Sequence, residues 1–142
     1  MNEPISDDFS LWHPSSPFMA YMADIGNLYR NDAGNILALR VQEVHTNMHN
    51  TAHGGLLATL ADSALGFYVA KEARASVVTV QMSLDYLNAV KPGDWLEAHV
   101  QIEKKGRRLI YASCLMKVGV KVMLKANAVF AARAADRPAS DG

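Results

Sequence analysis

Apolar and polar residues alternate through the second half of the chain. Val78, Val80, Met82, Leu84 and Tyr86 are interleaved with Thr79, Gln81, Ser83 and Asp85, the period-two pattern of a half-buried strand. Leu96, Ala98, Val100 and Ile102 alternate with Glu97, His99, Gln101 and Glu103 in a second strand. Ile110, Ala112, Cys114, Met116 and Val118 share one face of a third, and Val122, Leu124, Ala126, Ala128 and Phe130 mark a fourth. Lys91-Pro92-Gly93-Asp94, Lys104-Lys105-Gly106-Arg107 and Gly119 supply turn chemistry between them. Connections this short predict antiparallel neighbours in chain order, a four-strand meander.

The texture upstream is different. From Gly54 to Ala70 apolar residues run together without proline, rich in Ala and Leu, which predicts a helix. Apolar residues fall on nearly every side of it, so burial on most sides is expected. Asp62 is then an anomaly, because an unpaired carboxylate is costly inside a protein. Its helical neighbours Ala58, Thr59, Leu65 and Gly66 include no cation. A short helix is expected from Pro17 to Asp24, capped by Ser16. Leu28–Arg30 and Ile36–Val41 read as two extended pieces around the turn Asn31–Asn35. Residues 1–14 read as a loose arm and 133–142 as a loose tail. The expectation is an α+β domain over 1–142, ordered over about 17–132, with an antiparallel sheet wrapped around one long helix.

Bulk properties narrow the function. The 142 residues suit one domain, and half are hydrophobic. Fourteen basic and 14 acidic residues cancel, giving no basic excess for nucleic acid. A single cysteine, Cys114, leaves no disulfide framework or multi-cysteine metal site. The five histidines, His13, His45, His49, His53 and His99, form no HExxH pair. The acidic N-terminus and the lack of a long apolar run predict a soluble, cytoplasmic protein with no membrane partner.

The element order, with Asn47, then His53-Gly54-Gly55, then Leu60-Ala61-Asp62, resembles the hotdog-fold acyl-CoA thioesterases of the phenylacetate-degradation (PaaI-like) group. The resemblance covers roughly residues 17–132. That family carries an Asn-x-x-Gly-x-x-His-Gly-Gly loop followed by a helix with an Asp. Here Asn50 stands where Gly is usual. Asn also tolerates the left-handed conformation, so the loop shape can survive.

The resemblance implies a hotdog fold and hydrolysis of an acyl- or aryl-CoA thioester, with no metal or redox cofactor. It assigns the Gly54 amide to the thioester oxygen, at a helix N-terminus where the dipole favours negative charge. It gives Thr79 a supporting role toward the carboxylate or water, and Asn47 a role in holding water or substrate. Asp62 is then a general base or a nucleophile. His53 reads as a loop-fixing residue, with direct participation the alternative. Lys104, Lys105, Arg107 and Arg108, with Lys91 a weaker candidate, are either a solvated turn or a basic rim for coenzyme A phosphates. Asp62 lies eight residues after Gly54, roughly 12 Å along the axis. One helix cannot place both on one thioester carbon, so the chemistry predicts a homodimer, or a dimer of dimers, with shared sites. Two rival readings stand beside this one. One is a non-catalytic acyl-CoA binder or sensor on the same fold, and the other a hydrolase of acyl-carrier-protein thioesters.

Overall fold

Residues 3–133 are described in a computed structural model of the chain. The elements in order are β1 (Phe9–Leu11), α1 (Pro17–Ile25), β2 (Tyr29–Asn31), β3 (Ile36–Arg40), a 3-10 turn (Glu43–His45), α2 (Gly54–Ala73), β4 (Val77–Tyr86), β5 (Trp95–Lys105), β6 (Leu109–Val118) and β7 (Lys121–Ala132). Local chemistry accounts for several boundaries. Ser16 Oγ accepts the Met19 amide at 3.1 Å and Pro17 opens α1. Asn31 Oδ1 accepts the amides of Gly34 and Ile36, closing the β2–β3 turn, and Gly34 takes the positive φ of 81° that turn needs. Arg74, at φ 54°, ends α2 by donating its amide to Ala70 and Lys71 carbonyls.

Seven strands form one sheet in the order β1-β2-β3-β5-β6-β7-β4, each pair antiparallel. The meander holds for β5, β6 and β7. It fails for β4, which lies at the far edge beside β7 rather than next to β5. The link from Leu87 to Asp94 is the reason. It is too long for a tight hairpin and is hydrogen-bonded along its course. Leu87 and Asn88 donate to the Met123 carbonyl, Ala52 donates to Val90, and Gly93 to Val41. Those bonds carry the chain from one edge of the sheet to its middle.

α2 packs on one face of the sheet. Leu57, Leu60, Ala61, Ala64, Leu65 and Val69 are buried among sheet residues such as Leu96, Ala112, Met116, Leu124 and Phe130. The opposite face, with Thr59, Asp62, Ser63, Gly66 and Phe67, is only half-buried. The expected burial on most sides is therefore corrected. The helix is apolar all round by composition, but the sheet covers one side and small residues leave the other open. The N-terminal arm is corrected too. β1 pairs with β2, Trp12 donates its amide to the Leu28 carbonyl at 2.8 Å, and its ring lies 5.3 Å from that of Phe67. At the other end the Arg133 amide reaches the Ser76 carbonyl; the rest of the expected tail lies outside the described residues. No described helix is long and apolar enough to cross a membrane.

Two buried groups settle local questions. Cys114 is 1% exposed, and burial pushes its thiol up to about 12, so it is core and no thiolate nucleophile. His45 is 3% exposed. Its Nδ1 accepts the Gln42 amide at 2.9 Å, and its ring packs so closely on Gly26 that a Cβ there would come within 2.7 Å of it. The His45 carbonyl accepts the His53 amide, so this imidazole anchors the loop that leads into α2.

Burial holds the His45 imidazole below its ordinary value of 6.5. The folded state therefore binds the proton less well than the unfolded chain. The stabilisation is complete above pH 6.5 and is lost as pH falls through and below that value. Urea denaturation at pH 7.5 and at pH 5.5 should show a larger loss in the wild type than in His45→Gln, up to about 1.4 kcal/mol per pH unit. Equal losses in the two proteins would remove His45 from the linkage.

Candidate active site

The loop before α2 is built around Asn47. Its Oδ1 accepts the His49 amide at 2.9 Å, the Thr51 amide at 3.3 Å and the Thr51 hydroxyl at 3.2 Å. Its backbone amide donates to the Thr51 carbonyl. That oxygen is thus engaged in shaping the loop. Asn50 has φ 60°, the left-handed conformation that its place in the motif requires. His53 caps the helix, its Nδ1 accepting the Gly55 amide at 2.8 Å. This engagement is that of a residue fixing the loop.

Gly54 is the first residue of α2, where the amide has no partner within the helix. Its carbonyl accepts the Tyr86 hydroxyl at 2.7 Å, and a Cβ at Gly54 would sit 3.5 Å from that hydroxyl. Tyr86 is a site-adjacent residue that periodicity did not single out, since it read as one more apolar position on its strand. The hydroxyl at the end of the strand was the available signal.

Asp62 sits on the open face of α2, and Thr79 Oγ1 donates to its Oδ1 at 2.7 Å. Simple alternation puts Thr79 opposite the face that carries Met82 and Leu84. A β-bulge at Val80 removes the conflict. Thr79 pairs with Phe130, and the register then shifts so that Gln81 pairs with Val129 and Met82 with Ala128. Phe130 and Ala128 are both buried core residues. Thr79, Met82 and Leu84 therefore face α2 together, with Val80 as the extra residue. Thr59, one turn before Asp62, shares its cavity and donates its hydroxyl to the Gly55 carbonyl at 2.9 Å. Nothing in the apolar pattern marked it.

Four of the predicted site residues, Asp62, Thr79, Asn47 and Gly54, are divided between two cavities, and His53 lines neither of them. One, of about 600 Å³, is lined by Asp62, Thr79, Thr59, Ser63, Phe67 and Trp12 among others. The second, of about 340 Å³, is lined by Asn47, Thr51, Gly54 and Tyr86, with the segment Leu87–Val90. Asp62 and Gly54 do not meet within the chain. Lys104, Lys105, Arg107 and Arg108 are exposed on the β5–β6 turn. Lys105 Nζ donates to the Glu72 carbonyl near the end of α2. Lys91 starts a different turn, its amide held by Asp94 Oδ2.

A central helix on an antiparallel sheet, with a bare glycine helix start and a mid-helix acid, is the arrangement that the resemblance to hotdog-fold thioesterases leads one to expect. The family model described as Thioesterase superfamily matches residues 49–123; the chain belongs to that superfamily. A Pseudomonas aeruginosa protein named "Putative esterase" is 38% identical over 134 residues, 92% of this chain and 97% of its own length. Mouse acyl-coenzyme A thioesterase 13 is 38% identical over 79 residues, 55% of this chain and 56% of that protein. Among solved structures, zebrafish thioesterase superfamily member 2 aligns with a TM-score of 0.65 at 31% identity, over 69% of this chain and 73% of that one. A Streptococcus mutans protein bound to acetyl-CoA aligns with a TM-score of 0.66 at 25% identity, over 69% and 79%.

The left-handed Asn50 gives a direct test of the loop. Asn50→Ala should lower stability by about 1 kcal/mol, because a Cβ without a compensating polar group disfavours that conformation. Asn50→Gly should not. Equal urea midpoints for the two variants would show that the backbone at residue 50 does not constrain the loop.

Proposed function

We propose that this chain is an acyl-CoA thioesterase working as a homodimer, with each site assembled from both protomers. The observation that carries the reading is Asp62: a carboxylate in the middle of an apolar helix, facing a cavity, with one oxygen held by Thr79. In this reading Asp62 takes a proton from water as the water oxygen adds to the thioester carbonyl carbon. The resulting oxyanion is received by the Gly54 amide of the partner subunit at the positive end of its helix. Collapse breaks the carbon–sulfur bond. The acid leaves, and coenzyme A thiolate recovers the proton. Acetyl-CoA in the Streptococcus mutans relative and the acyl-coenzyme A thioesterase name of the mouse relative support this substrate class.

Strand geometry supports the dimer in this reading. β4 is an edge strand of ten residues, with Val78 43% and Val80 57% exposed. Such an edge is a template for pairing. Along β4, Thr79 marks the level of Asp62, and Tyr86 marks the level of Gly54. With Val80 as the extra residue, antiparallel pairing of two β4 strands about a dyad at Ser83 sets Met82 opposite the partner's Leu84 and Thr79 opposite the partner's Tyr86. Asp62 then stands beside the partner's Gly54. The exposed basic turn at Lys104, Lys105, Arg107 and Arg108 lies at the end of the sheet where α2 ends and β4 begins, in a position to meet coenzyme A phosphates. A coenzyme A substrate goes with a cytoplasmic location.

Asp62→Asn should lower kcat on acyl-CoA substrates by about a hundredfold or more while leaving the circular dichroism spectrum unchanged. Thr79→Val should cost about tenfold, the worth of one charge-assisted hydrogen bond. A thiol-release assay checks both, and unaltered rates in Asp62→Asn would leave a binder as the better reading.

Shared sites predict complementation. Gly54→Val and Asp62→Asn should each be inactive alone. After co-refolding, mixed dimers should regain activity, since one of their two sites carries neither substitution. A mixture as inactive as its components, with mixed dimers demonstrated by native mass spectrometry, would place each site within one chain.

A further inference from the structure

The cavity beside Asp62 has a wall that the superfamily match does not include. The match spans residues 49–123, whereas Trp12, Phe18 and Met19 come from the N-terminal segment. Two contacts fasten that segment to the open face of α2. Ser63 Oγ donates to Met19 Sδ at 3.1 Å, and the Trp12 ring packs on Phe67 at 5.3 Å. Ser63 and Phe67 are one helical turn apart and flank Gly66. Behind them β1–β2 pairing and the Ser16 cap hold the segment in place. Phe18 lies at the mouth, 62% exposed.

Gly66 is the second observation. Glycine weakens a helix interior relative to alanine, so a packing reason is expected there. None is found among the described residues: a Cβ would meet Phe130 Cε1 at 3.7 Å, an ordinary contact. What the missing side chain does is leave room in the cavity one turn beyond Asp62. From Asp62 to Ala70, also on the lining, the helix runs roughly 12 Å.

We infer that this chamber is the acyl-selectivity pocket, with Trp12, Phe18, Met19 and Gly66 setting which acyl groups are accepted. The inference rests on the thioesterase reading of Asp62. Trp12, Phe18, Met19, Phe67 and Phe130 give it an aromatic and aliphatic part, bordered by serine and threonine hydroxyls, and it extends well past the two carbons of an acetyl group. It takes a medium-length apolar acyl chain, whose distal carbons lie over Gly66 and against Trp12. A two-carbon acyl group leaves the chamber empty and gains nothing from it.

The test is the ratio of kcat/KM for octanoyl-CoA to that for acetyl-CoA. The wild-type ratio should exceed one. Gly66→Leu, which fills the chamber, should lower it by about tenfold or more. Gly66→Ala should lower it less, and Phe18→Ala should lower it by about threefold through lost contact at the mouth. Calorimetry on the Asp62→Asn background, with octanoyl-CoA and free coenzyme A, reads the same wall without turnover. There Gly66→Leu should weaken octanoyl-CoA alone. Ratios and affinities insensitive to Gly66 and Phe18 in folded protein would overturn the assignment. Absence of wild-type turnover on every substrate would instead strike the thioesterase reading, and calorimetry would still decide the chamber.

Discussion

The straightness of one helix governs much of this structure. Gly54 and Asp62 are carried by the same uninterrupted element, and its rise holds them roughly 12 Å apart. No adjustment of loops can bring them to one carbon atom. The chain resolves this by opening a cavity at each level of the helix and facing both with the same edge strand. Thr79 marks one level of that strand and Tyr86 the other. In the proposed dimer a second copy related by a dyad would exchange the two levels, which ties the edge strand to the divided site.

The bulge at Val80 is a small feature with a large consequence. Without it Thr79 would face away from α2 whenever Met82 and Leu84 face toward it, since strand side chains alternate strictly. The extra residue lets a hydroxyl and two apolar side chains share the helix-facing side. Bulges gather near active sites because they re-aim one side chain at the cost of a single unpaired residue. Here that side chain is the donor that orients the Asp62 carboxylate.

Most elements were legible in the residue pattern: α1 with its Ser16 cap, the β2–β3 hairpin, α2, and the three-strand meander. The failures have specific physical origins. β4 was misplaced because adjacency in sequence is a weak guide when the connection is long enough to cross, and the bonds from Leu87 to Met123 are long-range. β1 was missed because three residues carry too little periodicity to register. The bulge was invisible because Val80 is an ordinary strand residue. Asp62 was legible as an anomaly and its Thr79 partner through resemblance. Tyr86 and Thr59 were not, because a tyrosine on an apolar stripe and a threonine in a helix have structural explanations that sequence alone cannot displace.

The helix is also more open than its composition implied, and the difference bears on chemistry. Alanine, glycine and serine count as compatible with a buried face, yet they do not fill space. Ser63, Gly66 and Ala70 leave a cavity where larger residues would have closed the core. An acid in a fully closed core would have to shed its charge or find a buried cation. Asp62 is instead only half-buried, with Oδ1 held by the Thr79 hydroxyl. The small residues that make the helix look like a core element are what leave Asp62 facing a cavity.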